Sequence, residues 1–116
     1  MSYFKNMLSI MGINPNDYLE DVNENAKKYG YTPVYFSNNN KFKLMILSPN
    51  NKLIHFGSAI NNDFIIYQYL EDMKREPKGT AQKRRKAYLS RATNIKGNWK
   101  QDKYSKNNLA IKILWQ

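Results

Sequence analysis

The chain has 116 residues, 41% of them hydrophobic, which suits one compact domain with a small core. It holds no cysteine, which excludes disulfides, thiolate metal sites and cysteine nucleophiles, and no apolar run approaches the ~20 residues of a membrane-spanning helix. The formal charge of +10 is uneven: residues 1–73 carry six lysines against seven acids, and residues 74–116 carry thirteen lysines or arginines against two acids.

Residues 1–13 place Phe4, Leu8 and Met11 at helical spacing and read as a short helix or arm packed on the body. Residues 1–11 are too polar for a secretory signal. Asn14-Pro15-Asn16-Asp17 starts the clearest helix, since proline is tolerated in a first turn and Asn or Asp can cap. Leu19, Val22, Ala26 and Tyr29 fall on one of its faces. Asp17, Glu20, Asp21 and Glu24 form a stripe on another, Lys27 and Lys28 sit near the C-terminal end, and Gly30 supplies the stop.

Three strands follow. The first covers residues 32–37, with Val34, Tyr35 and Phe36. After a turn at residues 38–40, Phe42, Leu44 and Ile46 alternate with Lys43, Met45 and Leu47. Ser48-Pro49-Asn50-Asn51 is a strong turn, and residues 53–57 form the third strand. The three read as an antiparallel meander with one face against a helix.

Asn62-Asp63 caps a helix with Phe64, Ile65, Tyr67, Gln68 and Leu70, which ends before Pro77. Thr80 is the expected cap of a basic amphipathic helix over residues 81–92. Ala81, Tyr88, Leu89 and Ala92 share one side of it, with Lys83, Arg84, Lys86 and Arg91 mostly away from that side. Residues 95–106 read as an irregular polar loop with Gly97, Trp99 and Tyr104. Residues 109–115 fit either period, and Ser105 as a cap favours a helix. The expected fold class is α+β: a three-stranded antiparallel meander packed against C-terminal helices, with an N-terminal helix. It forms a single domain over residues 1–116, with a helical segment at 1–30, strands at 31–58 and a basic helical part at 62–116.

No catalytic constellation is visible. His55 is the lone histidine and lies in an expected strand, where hydrogen bonding in or beside the sheet explains it. The acidic stripe has three readings: paired carboxylates for acid–base or cation chemistry, a solvated face favoured by the helix dipole, or a contact with the basic C-terminal third of the same or a neighbouring molecule. No phosphate-cradling glycine motif is present and no cofactor is implied.

The basic segment is the informative feature. The chain has 15 lysines and 16 asparagines, a bias expected of an AT-rich genome, but only four arginines, and all four lie between positions 75 and 91. A guanidinium presents a planar fork to carboxylate or phosphate. Lys74, Arg75, Lys83, Arg84, Arg85, Lys86 and Arg91 are therefore the candidate contacts, with Trp99 and Tyr104 as candidate anchors on the same surface.

The string His55-Phe56-Gly57, Asp63-Phe64, Arg84-Arg85, Tyr88-Leu89, Arg91, Trp99 and Leu114-Trp115 resembles a family of small basic proteins of the large nucleocytoplasmic DNA viruses. Ile95-Lys96-Gly97-Asn98-Trp99, Tyr104-Ser105 and Asn107-Asn108-Leu109 resemble one branch of it. The resemblance spans residues 30–116, departs from the pattern at Asn61-Asn62 and at Ile65-Ile66-Tyr67, and carries no activity to transfer. It implies a non-enzymatic, virion-associated protein, a minor capsid or packing component met in the virion and, during assembly, in the host cytoplasm. The expected partner is an acidic surface of a capsid or other virion protein. Nucleic acid, in genome packaging, is the alternative; neither a membrane nor a small-molecule substrate is expected.

Overall fold

The computed structural model describes residues 2–116; Met1, where the expected N-terminal segment begins, lies outside the described residues. Helix α1 covers Tyr3–Ile10, with the Ser2 side chain accepting from the Lys5 amide and with Phe4 and Leu8 buried. Helix α2 covers Pro15–Lys28. The Asn14 side chain accepts from the amides of Asn16 (2.8 Å) and Asp17 (3.2 Å), and Pro15 occupies the first turn, where no donor is needed. Tyr18, Val22 and Ala26 are buried, and the helix stops at Tyr29, followed by Gly30 with φ +77°.

Strands β1 (Val34–Phe36), β2 (Phe42–Leu47) and β3 (Leu53–Ser58) form an antiparallel sheet in that order. Val34 lies opposite Ile46, and Leu44 opposite Phe56. The outer edge of β1 is closed by a side chain: the Asn23 amide accepts from Val34 N (2.8 Å) and donates to Val34 O (3.0 Å), as a fourth strand would. Helices α1 and α2 and the C-terminal segment pack on the sheet. Tyr35 and the opposed pair Leu47 and Leu53 stay exposed.

Simple alternation fails at Lys43, since Lys43 and Leu44 are both buried. Lys43 lies across from Gly57, between the paired positions Phe42–Ser58 and Leu44–Phe56. Gly57 has φ +78°, and a Cβ there would come within 2.9 Å of a Leu114 methyl. The glycine thus both permits the left-handed turn and admits the C-terminal segment against the sheet.

Helix α3 (Phe64–Asp72) starts where expected, with Asp63 accepting from the Ile66 amide at 2.9 Å. Helix α4 (Thr80–Ala92) packs on α3. Thr80 does not cap it. Gly79, with φ +96°, holds the cap position, and the Glu71 carboxylate accepts from the amides of Gly79 (2.6 Å) and Ala81 (2.8 Å). A carboxylate from the preceding helix supplies what the local sequence does not. The loop after α4 contains one 3₁₀ turn, Trp99–Gln101. The chain then forms α5 (Lys106–Leu109), capped by Ser105, and a π-helical turn, Ala110–Leu114. This buries Leu109, Ile111, Ile113 and Leu114, and Ile113 O accepts from the Asn25 side chain on α2 at 2.9 Å.

Candidate functional site

Trp115 organises the region that faces α4. Its ring stacks on Tyr88, with centroids 4.2 Å apart and planes 6° from parallel. Arg85 donates from Nε to the Trp115 carbonyl (2.8 Å), and its guanidinium carbon sits 5.6 Å from the centre of the Phe64 ring. Nearly every element of the resemblance string is thereby engaged in architecture: Phe56 in the core, Gly57 against Leu114, Asp63 at the α3 cap, Phe64 under Arg85, and Tyr88 on Trp115.

Between α4, the turn after β3 and the C-terminal segment lies a cleft of about 800 Å3. Gly57, Ala110, Leu114 and Trp115 contribute its apolar surface, and Arg84, Arg91, Lys96 and Lys106 its positive charge. Asn61, Asn62 and Asn107 add amides, and Tyr67, Tyr88 and Trp99 add rings. No carboxylate lines it among the described residues. Arg84 and Arg91 stand two turns apart on one face of α4 with Tyr88 between them, which is why one helix delivers all three to one wall. Lys43 reaches the cleft from β2, but its ammonium belongs to a buried pair: Nζ lies 2.9 Å from Asp63, which also accepts from the Tyr18 hydroxyl at 2.6 Å. Burial, then the Asp63 charge, pushes the Tyr18 phenol well above its usual range.

Each of the cleft's rings already carries a contact on one face. Tyr88 covers Trp115, the Arg84 guanidinium lies 5.7 Å from the Tyr67 ring centre, and Lys100 sits over Trp99, whose indole N–H donates to Ile95 O at 2.7 Å. Burial raises the Tyr88 phenol, an effect partly offset by nearby Arg91. Apart from Lys43–Asp63, no cation is ion-paired among the described residues. What the cleft offers a ligand is therefore positive charge and amide hydrogen bonds more than free aromatic faces.

The expected contact residues divide. Arg84, Arg91 and Trp99 meet in the cleft. Arg85 turns inward, while Lys83 and Lys86 are exposed on α4 outside the cleft lining. Lys74 and Arg75 lie past the end of α3 in a depression they share with Glu71, Asp72 and Glu76, and Arg75 donates to Met11 O at 2.5 Å. Tyr104 packs edge-on against Tyr31, with centroids 5.2 Å apart, and its hydroxyl accepts from Thr32 N at 3.2 Å. Lys96, Lys106 and the three asparagines were not legible as site residues. The folding of residues 95–107 back onto α4 brings Lys96, Lys106 and Asn107 there, with the string Ile95-Lys96-Gly97-Asn98-Trp99 as the nearest signal, while Asn61 and Asn62 come from the turn after β3.

His55 Nδ1 lies 2.7 Å from Ser37 Oγ, which also meets the backbone of Asn39 and is 1% exposed. That buried hydroxyl closes the turn between β1 and β2. In the acidic stripe, Asp21 accepts from the Tyr69 hydroxyl at 2.5 Å, and burial followed by that bond raises the Tyr69 phenol. No group of three or more His, Asp or Glu side chains is placed to hold a metal ion among the described residues. No described helix is long and apolar enough to cross a membrane.

No protein-family model, curated protein or solved structure matches the chain.

Proposed function

We propose that this chain is a small non-enzymatic binding protein that holds an acidic partner in the cleft between α4 and the C-terminal segment, as a minor capsid or packing component of a large DNA virus. One observation carries the binding reading: Arg84, Arg91, Lys96 and Lys106 line one concave surface that no carboxylate lines among the described residues. Unpaired guanidinium groups on a rigid helix form charge-assisted, forked hydrogen bonds to carboxylates. The partner in this reading is an acidic segment of a capsid or other virion protein. The viral setting rests on the resemblance of the His55-Phe56-Gly57 to Leu114-Trp115 pattern.

Nucleic acid, held during genome packaging, is the second reading. The same four cations along a groove favour it, because phosphate is recognised by the same chemistry. Engagement of the rings of Tyr67, Tyr88 and Trp99 within the fold weighs against base stacking as its mode. Backbone binding weakens linearly on a log–log salt plot with a slope set by the number of phosphates neutralised. A protein contact with a packed apolar centre keeps more of its affinity in high salt.

Cross-linking mass spectrometry on purified particles tests the proposal. Links from Lys96 or Lys106 to an acidic segment of a coat protein are expected. Absence of the chain from particles overturns the virion role, and links confined to Lys83 or Lys86 overturn the cleft as the contact.

A further inference from the structure

One acidic surface suited to this cleft belongs to the chain itself. On α2, Asp17 and Glu24 are seven residues apart, two helical turns, with Glu20 and Asp21 between them. Asp17, Glu20 and Glu24 are exposed, and none of the four is ion-paired among the described residues. On α4, Arg84 and Arg91 are also seven residues apart, exposed, and without a carboxylate partner. At 1.5 Å per residue both ladders span about 10 Å. The acids do not converge on a cation site, and no ion pair joins the two ladders within one molecule.

We infer that a second copy of this chain lays the acidic face of its α2 along the Arg84–Arg91 wall of the cleft. The contact is heterologous: each copy carries one acidic and one basic surface, so copies add head to tail and form open chains unless the rotation closes a ring. The charge of +10 opposes this only at long range. At physiological salt the Debye length is about 8 Å, so repulsion between molecular centres is screened while ion pairs in contact persist. This inference rests on the cleft being the acid-binding site, and it names an occupant for it.

Sedimentation velocity on the full chain, over a concentration series near physiological salt, reads the contact. The wild type is expected to shift to larger species as concentration rises. The double variants Arg84→Glu/Arg91→Glu and Glu20→Lys/Glu24→Lys, each checked by circular dichroism to be folded, are each expected to associate about tenfold or more weakly, because like charges then face each other. Mixed in equal amounts they restore opposite charges at both surfaces, and the larger species return. A wild type that stays monomeric throughout, or a mixture that fails to reassociate, overturns the inference. Binding of a polyglutamate peptide in the same buffer separates the two readings. If the wild type is monomeric yet binds the peptide, and Arg84→Glu/Arg91→Glu does not, the cleft stands and only the head-to-tail contact falls. If neither binds it, the cleft reading falls as well.

Discussion

Lys43 and Asp63 stand 2.9 Å apart with 2% and 1% of their side chains exposed, the one ion pair among the described residues. Asp63 joins β2, α2 and α3: one carboxylate oxygen takes Lys43 and the Tyr18 hydroxyl, and the other caps α3 at Ile66. A buried pair gives little net stability against an apolar substitute, but an orphaned partner is costly. Lys43→Met and Asp63→Leu are each expected to destabilise the fold by about 3–5 kcal/mol. Urea unfolding of both, and of the double variant, measures the coupling; single-variant losses that simply add would show that the pair does not act as a unit.

Gly57→Ala is expected to destabilise the fold through two separate causes. The left-handed backbone costs an L-residue about 1–2 kcal/mol, and the new methyl meets Leu114 at 2.9 Å. Adding Leu114→Ala relieves only the second, so a thermal-melt cycle should show non-additivity with incomplete rescue.

Helix α4 depends on Glu71 for its start. Glu71→Ala is expected to cost about 1 kcal/mol, the value of a lost cap, whereas Thr80→Ala should change stability little. The reverse order of effects in chemical denaturation would contradict this capping.

Alkaline pH should destabilise the fold. Burial, with the neighbouring Tyr104 and Asp102, pushes Tyr31 up to about 12, and Tyr18, Tyr69 and Tyr88 also shift upward. A phenol with a folded pKa above its unfolded value of about 10 gives stability that is full below that value and lost as pH rises through the folded value. Melting temperatures should therefore fall between about pH 10 and 12. Tyr31→Phe should lessen the fall, and an identical slope in that variant would remove Tyr31 as a contributor.

The meander, α2, the Asp63 cap and the inward side of α4 were all readable, because each is written in local periodicity and turn chemistry. Lys43 was not, since a lysine in an alternating strand looks solvent-facing until Asp63 arrives from twenty residues away. The same limit applied to the site. Arg84 and Arg91 were legible through the clustering of arginine, but the inward turn of Arg85 depends on Trp115, thirty residues on. Lys96 and Lys106 join the cleft only through the path of an irregular loop, which no period encodes. Residues 109–115 fit either period, with Ser105 favouring a helix, and the chain there is helical, its last turn, Ala110–Leu114, being a π turn.

Isothermal titration of a polyglutamate peptide into the wild type and two variants tests the cleft most directly. Arg84→Ala/Arg91→Ala removes charge from the concave wall, and Lys83→Ala/Lys86→Ala removes the same formal charge from the exposed side of the same helix. Affinity should drop about tenfold or more in the first and change little in the second, with both variants melting like the wild type. Equal losses in the two would mean that the peptide senses net charge alone, and the cleft would have no special part in binding.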